Sequence, residues 1–118
     1  MKSIEDLQKQ ITSFRDARDW LQFHNPKDLA ISISLEAAEL LEIFQWSGAD
    51  LTAEGKKEKI AEELADVMIY CGLMADVVGL QIDEIIEHKL KRNDEKYPVD
   101  KAYGSKEKYT KLKGEARK

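Results

Sequence analysis

The chain has 118 residues, of which 36% are charged, and a formal net charge of −4 at pH 7. This length suits one domain, and the acidic balance argues against a protein whose main partner is a nucleic-acid polymer. The single cysteine, Cys71, excludes an intramolecular disulfide. The N-terminal segment lacks the apolar core of a signal peptide, and the longest apolar run is too short to span a membrane. We therefore expect a cytoplasmic protein without a membrane partner.

Apolar residues recur at steps of three and four, which is the spacing of amphipathic helices. The first predicted helix covers residues 3–23. The second begins at Pro26, because Asn25 is a good N-cap and Pro suits the first helical position. We expect this helix to run to Trp46, with Gly48 as its C-terminal stop.

The third predicted helix, residues 54–78, is the longest, with Thr52 as a candidate cap and Gly79 as its end. Its second half is apolar on most sides, so it needs cover from other helices or from a second subunit. A fourth helix covers residues 82–96 and stops before Pro98.

No strand pattern, internal repeat or domain linker interrupts this series of helices. The predicted fold is therefore all-α, an antiparallel four-helix bundle completed by dimerisation. Residues 1–98 form the predicted helical domain. Residues 99–118 contain lysines and tyrosines but no apolar stripe, which predicts a basic, extended or partly disordered tail.

Acidic residues stand at helical spacing on the second and third predicted helices. Glu36 and Glu39 are three residues apart and share one face, as do Glu63 and Asp66. The first pair has no Lys or Arg within a helical turn. Uncompensated acids on apolar helices are unfavourable unless a cation balances their charge. If the two helices pack antiparallel, both acidic pairs would lie at the same level of the bundle.

Four carboxylates without a thiol or an imidazole are hard oxygen ligands. Such a set suits Mg²⁺ or Mn²⁺, and protein-bound Mg²⁺ commonly bridges to the phosphates of a substrate. A di-iron bundle would need Glu-x-x-His motifs. The residues three positions before His24 and His88 are Leu21 and Ile85, so the pattern favours magnesium with a phosphorylated substrate.

The fourth helix and three aromatic residues are candidates for substrate contacts. Basic and amide side chains that could meet phosphates follow the fourth helix at steps of three and four: Lys89, Arg92, Asn93 and Lys96. The aromatic side chains that could stack on a base are Trp20, Trp46 and Tyr70, although isolated aromatics more commonly belong to a core or an interface.

Several short segments occur together in one order along the chain. They are Arg18-Asp-Trp20, Phe23-His-Asn-Pro26, Glu36-x-x-Glu39-Leu, Glu42-Ile-Phe-Gln-Trp46, Glu62-Glu-Leu-Ala-Asp66-Val-Met-Ile-Tyr70, Lys89-x-x-x-Asn93, Tyr97-Pro98 and Lys108-Tyr-Thr110. This series resembles the MazG-like all-α nucleoside triphosphate pyrophosphohydrolases, especially the small dCTP pyrophosphatase type.

The resemblance implies hydrolysis of a (deoxy)nucleoside triphosphate to the monophosphate and pyrophosphate, in nucleotide-pool housecleaning. It also implies a homodimer or a dimer-of-dimers tetramer. By position in the motifs, the metal-binding places fall to Glu36, Glu39, Glu63 and Asp66. Lys89 and Asn93 match the family's residues that contact the nucleotide. Trp46 and Tyr70 match its aromatic pocket residues.

The mechanism that fits the resemblance is metal-assisted attack of water at the α-phosphorus, with Glu36 or Glu39 as the general base. Ala38 stands where relatives have Gly, and Ile11 falls where animal dCTP pyrophosphatases carry a histidine of the base pocket. We therefore expect deoxynucleotides in general as substrates, with dCTP first.

Two other functions are compatible with the helical pattern. One is a catalytically silent interaction module that uses the bundle to dimerise, which would leave the acidic pairs without a role. The other is a different Mg²⁺-dependent phosphohydrolase, whose usual His-Asp ligand sets are missing because neither His24 nor His88 has an adjacent Asp.

Overall fold

The structure, a computed structural model, describes residues 1–106, and its regular secondary structure is all helical. Its elements are α1 (Ile4–Ala17), a 3-10 turn (Leu21–Phe23), α2 (Pro26–Glu42), α3 (Lys57–Val77), α4 (Ile82–Lys96) and α5 (Val99–Ala102). No strand occurs among the described residues. The all-α fold predicted from the sequence is confirmed.

The helix starts follow from side-chain caps. Ser3 caps α1, because its hydroxyl accepts a hydrogen bond of 3.1 Å from the backbone N–H of Asp6, and the Asp6 carboxylate bonds back to the Ser3 N–H. Asn25 caps α2 by accepting a 2.9 Å bond from the Asp28 N–H, with Pro26 in the first turn. The predicted start of α2 is confirmed.

Two predicted caps near the loop between α2 and α3 are wrong. The helix α2 ends at Glu42, before Gly48, and the chain continues through tighter turns such as the Phe44 N–H to Leu41 carbonyl bond of 2.9 Å. Thr52 does not cap α3, because its hydroxyl instead donates a 2.9 Å bond to the Asp50 carboxylate. That carboxylate organises the loop, and bonds from backbone N–H groups lower its pKa.

The described chain divides into two compact units, residues 1–82 and the residues from 83 onward. In the first unit α2 and α1 both pack on α3, whose Leu73 and Ala75 are buried together with Leu29 of α2. The helix α3 is therefore the centre of this unit. Gly79 ends α3 as predicted, with a φ of +76° and an N–H bonded to the Asp76 carbonyl.

The second unit contains α4 beyond its first residue and the short helix α5. The four residues of α5 fall at the start of the predicted tail and form one helical turn. Residues 103–106 of that tail follow without a helix, and residues 107–118 lie outside the described residues. The division into a domain of residues 1–98 and a tail of residues 99–118 stays a prediction.

Buried polar side chains fasten α1 to the end of α3. The side chain of Gln8, only 8% exposed, donates a 3.0 Å bond to the Leu80 carbonyl and accepts a 2.8 Å bond from the Ile82 N–H. Two turns further along α1, the guanidinium of Arg15 donates a 2.6 Å bond to the Asp76 carboxylate. These bonds fix where α1 lies along α3.

Large apolar side chains of α2 and α3 remain exposed. Leu64 and Met68, one turn apart on α3, are 46% and 58% exposed, and Leu35 and Leu41 of α2 are 60% and 69% exposed. The middle of α3 is thus only partly covered within its own unit. No single helix among the described residues is long and apolar enough to cross a membrane. The helices α3 and α4 taken together would be long and apolar enough, by length and composition only.

We predict that Gln8→Ala destabilises the protein by about 1–2 kcal/mol, because it removes two part-buried hydrogen bonds, to the Leu80 carbonyl and from the Ile82 N–H. Gln45→Ala, at an exposed glutamine, is the control and should change stability by less than about 0.5 kcal/mol. Urea unfolding followed by circular dichroism measures both variants. Equal midpoints for the two would show that the Gln8 bonds do not stabilise the fold.

Candidate metal centre

Three carboxylates from two helices meet in the first unit. Glu36 and Glu39 are one turn apart on α2, and Glu63 comes from α3. One oxygen from each of the three lies within 4.8 Å of the others. The cluster forms because the C-terminal half of α2 lies against the N-terminal half of α3, as the antiparallel arrangement predicts.

Two oxygens of this cluster are buried without a partner. Glu36 Oε2 and Glu63 Oε2 are both enclosed by protein and accept no hydrogen bond within the described part of the chain. Glu63 as a whole is only 6% exposed. A buried carboxylate oxygen without a donor is unfavourable, and an all-oxygen set of this kind matches the ligands of Mg²⁺ and Mn²⁺. The residues present therefore fit a hard divalent cation.

The cluster contains one cationic partner that the sequence interpretation overlooked. Lys59 Nζ lies 2.9 Å from Glu63 Oε1, one helical turn before it on α3. The Lys59 ammonium holds the pKa of the Glu63 carboxyl below its ordinary value, and Glu63 in turn raises the pKa of Lys59. The i,i+4 spacing of this Lys and Glu was a readable signal, so the acids of α3 are not wholly uncompensated.

Glu39 is the acid of the cluster whose carboxyl has a raised pKa. Its pKa is raised from 4.5 to about 7, first because its proton is shared with Glu63 and Glu36, and also because both of these carry negative charge. Within the described chain it has no ion-pair partner, and it is exposed. The pKa of Glu63 moves the other way because of Lys59, so the proton shared by the facing carboxyls belongs to Glu39.

Asp66 is not among the carboxylates whose oxygens meet. It follows Glu63 by one turn on α3 and is exposed. Its place in the metal set stays a prediction. Glu42, the next acid on α2, also lies outside the cluster.

The basic stripe of α4 lies in the second unit. Lys96 and Arg92 lie close enough to Lys89 to lower its pKa, Lys96 by its positive charge most of all, and partial burial adds to this effect. Asn93 is half-buried on the same helix. A bound polyphosphate would reduce the repulsion among these positive charges. The assignment of Lys89, Asn93 and Lys96 to the nucleotide stays a prediction.

The three aromatic candidates lie in different surroundings. Trp20 packs edge-on against Phe14, with 5.7 Å between ring centroids, and the Arg18 guanidinium lies 3.6 Å from the Phe14 centroid. Trp46 is 88% exposed and Tyr70 is half-buried. None of these observations shows a contact with the carboxylate cluster, so their roles in base binding stay predictions.

Ile11 occupies a close contact between α1 and α3. A Cβ atom added to Gly72 of α3 would lie 2.9 Å from Ile11 Cδ1, so the two helices approach closely at this point and Ile11 fills the space. The side chain is apolar and packed, and offers no hydrogen-bonding group that could read a base.

Known proteins match the chain over most of its length. Residues 31–112 match the model of the MazG-like family. The chain is 33% identical over 115 residues to dCTP pyrophosphatase 1 of Mus musculus and 32% identical to that of Homo sapiens; each alignment covers 93% of this chain and 68% of the relative.

A solved structure is similar in fold and in sequence. It is that of a pyrophosphatase from Archaeoglobus fulgidus, with a TM-score of 0.71 and 41% identity over 83% of this chain and 94% of the other. The fold and the family of the chain are therefore both supported by a relative of known structure.

The raised pKa of Glu39 makes the stability of the metal-free protein depend on pH. Because this pKa is about 7 in the folded protein and near its ordinary value of 4.5 when unfolded, the folded state holds the proton more tightly. This contribution is complete below pH 4.5 and is lost as the pH rises through 7. Glu39→Gln keeps an N–H donor at every pH.

We therefore predict that Glu39→Gln equals the wild type in stability near pH 4.5 and exceeds it at pH 8, with EDTA present. Thermal unfolding at a series of pH values measures the difference. Glu42→Gln is the matched control and should show no such trend. A wild type as stable as Glu39→Gln at pH 8 would contradict the assignment of the proton.

Proposed function

The chain belongs to the MazG-like family and is a nucleotide pyrophosphohydrolase, and we propose that its substrates are deoxynucleoside triphosphates such as dCTP. Each would be hydrolysed to the monophosphate and pyrophosphate with Mg²⁺ at the carboxylate cluster. The observation that carries this proposal is the meeting of Glu36, Glu39 and Glu63 with two buried oxygens that lack partners.

The roles of the three acids follow from their surroundings. Glu36 and Glu63 would bind the cation through their unpartnered oxygens, and Asp66 would complete the set after a change of side-chain rotamer. Bound Mg²⁺ would supply charge neutralisation on the triphosphate and a more acidic water. Glu39 is the better candidate for the general base, because it is exposed to the water that must attack and has no cation of its own.

The nucleotide would be held by groups outside the cluster. The basic stripe of α4 supplies Lys89, Asn93 and Lys96 for the phosphates. Aromatic side chains, Trp46, Tyr70 and Trp20, would contact the base. We place dCTP first because the similar mouse and human proteins are dCTP pyrophosphatases. The packed, apolar Ile11 supports a broader choice of base.

We further propose that the protein is a cytoplasmic homo-oligomer, a dimer or a dimer of dimers. The support is the exposed apolar surface of α2 and α3, since monomers rarely leave such contiguous apolar surface in water. A silent interaction module would account for this surface but not for the acids. Similarity to enzymes with pyrophosphatase names favours catalysis over that alternative.

Incubation with dCTP and Mg²⁺ should release pyrophosphate and dCMP, and Glu39→Gln should lower kcat by about 10²- to 10⁴-fold, the usual contribution of a general base. Glu42→Gln, on the same helix but outside the cluster, should keep the wild-type rate. Chromatography of the nucleotides together with separate assays of pyrophosphate and phosphate measures the reaction. Release of orthophosphate, or full turnover in EDTA, would overturn the proposal.

The proposed assembly predicts a solution mass of at least two chains. Met68→Lys should reduce that mass, because it places a charge within the exposed apolar face of α3. Gln81→Lys, at an exposed polar position, should not. Size-exclusion chromatography with light scattering measures all three proteins. A monomeric wild type at the concentration of the activity assay would contradict the assembly.

A further inference from the structure

Lys59 has an unusual place beside the carboxylate cluster. Its ammonium lies 2.9 Å from one oxygen of Glu63, while the other oxygen of Glu63 is buried and has no partner. Glu63 is 6% exposed, whereas the Lys59 side chain is 58% exposed. A flexible, hydrated cation thus reaches from solvent onto a fixed, buried acid.

Lys59 is the cation that the described structure pairs with this cluster. Ion pairs elsewhere in the described structure join Lys9 to Glu5, and Arg15 to Asp16 and Asp76. Three acidic side chains with oxygens within 4.8 Å of one another repel when they are charged. Lys59 reduces this repulsion by neutralising Glu63.

We propose that Lys59 is a built-in counter-ion that competes with the divalent cation for Glu63 and so lowers the metal affinity of the nucleotide-free protein. This inference rests on the metal site of the proposed function. A cation that binds Glu63 must displace the ammonium or accept a like charge beside it, and both weaken binding.

The alternative role, orientation of Glu63 for the metal, is less consistent with the burial of the two side chains. Glu63 is enclosed by protein on nearly all sides, so packing restricts its rotamer without help from a partner. Lys59 is more than half exposed and has a long flexible stem. Such a group can leave Glu63 at little cost and remain in water.

The functional consequence concerns the order of binding. A triphosphate brings negative charge to the site and offers the Lys59 ammonium an alternative partner. Competition from Lys59 therefore weakens the binding of the cation alone more than it weakens the binding of the cation together with a nucleotide. Metal and nucleotide would bind cooperatively, and Lys59→Gln would reduce this cooperativity.

The test is a titration of each protein with Mn²⁺ alone, with free Mn²⁺ followed by electron paramagnetic resonance. Lys59→Gln should bind Mn²⁺ roughly three- to tenfold more tightly than the wild type, the range for loss of a partly exposed charged hydrogen bond. Lys59→Arg keeps the charge and should bind like the wild type. Lys57→Gln makes the same charge change at an exposed lysine two residues away and controls for net charge.

Thermal unfolding supplies a second readout. Lys59→Gln should unfold at a lower temperature than Lys57→Gln in EDTA, and Mn²⁺ should raise its unfolding temperature by a larger amount. Unchanged or weaker Mn²⁺ binding by Lys59→Gln, with pyrophosphate release intact, would overturn the counter-ion role alone. Absence of Mn²⁺ binding by the wild type would overturn the metal site as well.

Discussion

Repulsion among like charges is the constraint on which the candidate site depends. Glu36, Glu39 and Glu63 are held with their oxygens within 4.8 Å because α2 packs along α3. The chain offsets this repulsion in two ways: the pKa of Glu39 is raised, so this acid is more readily neutralised by a proton, and Glu63 is paired with Lys59. Two buried oxygens still lack partners. An acidic cluster that is only partly neutralised in this way is well suited to bind a cation reversibly.

The rest of the first unit keeps α3 in place so that the cluster can form. The amide of Gln8 and the guanidinium of Arg15 fasten α1 to the end of α3 opposite the acids. Ile11 fills the close approach at Gly72 between these bonds. The polar bonds lie at one end of α3 and the carboxylates near its start. Stability and chemistry are thus supplied by different parts of the same helix.

Much of the fold was predictable because it depends on local signals. Asn25 and Pro26 start α2, and Gly79 ends α3, through short-range backbone geometry. Glu36 and Glu39 share a face on any helix. The predictions failed in the loop between α2 and α3. Thr52 binds Asp50 within the loop and α3 begins only at Lys57, and tighter turns end α2 before Gly48.

The sequence by itself determined the all-α class, the helix starts and the acids at i,i+3 spacing, because each follows from residues within a turn or two of one another. Tertiary structure alone decided which acids meet. It brought Glu63 to the pair on α2 but left Asp66 outside, because the position of each α3 side chain relative to α2 depends on how the two helices pack. It also decided that two carboxylate oxygens of the cluster are enclosed without partners, because burial and side-chain rotamers depend on how α2 lies against α3.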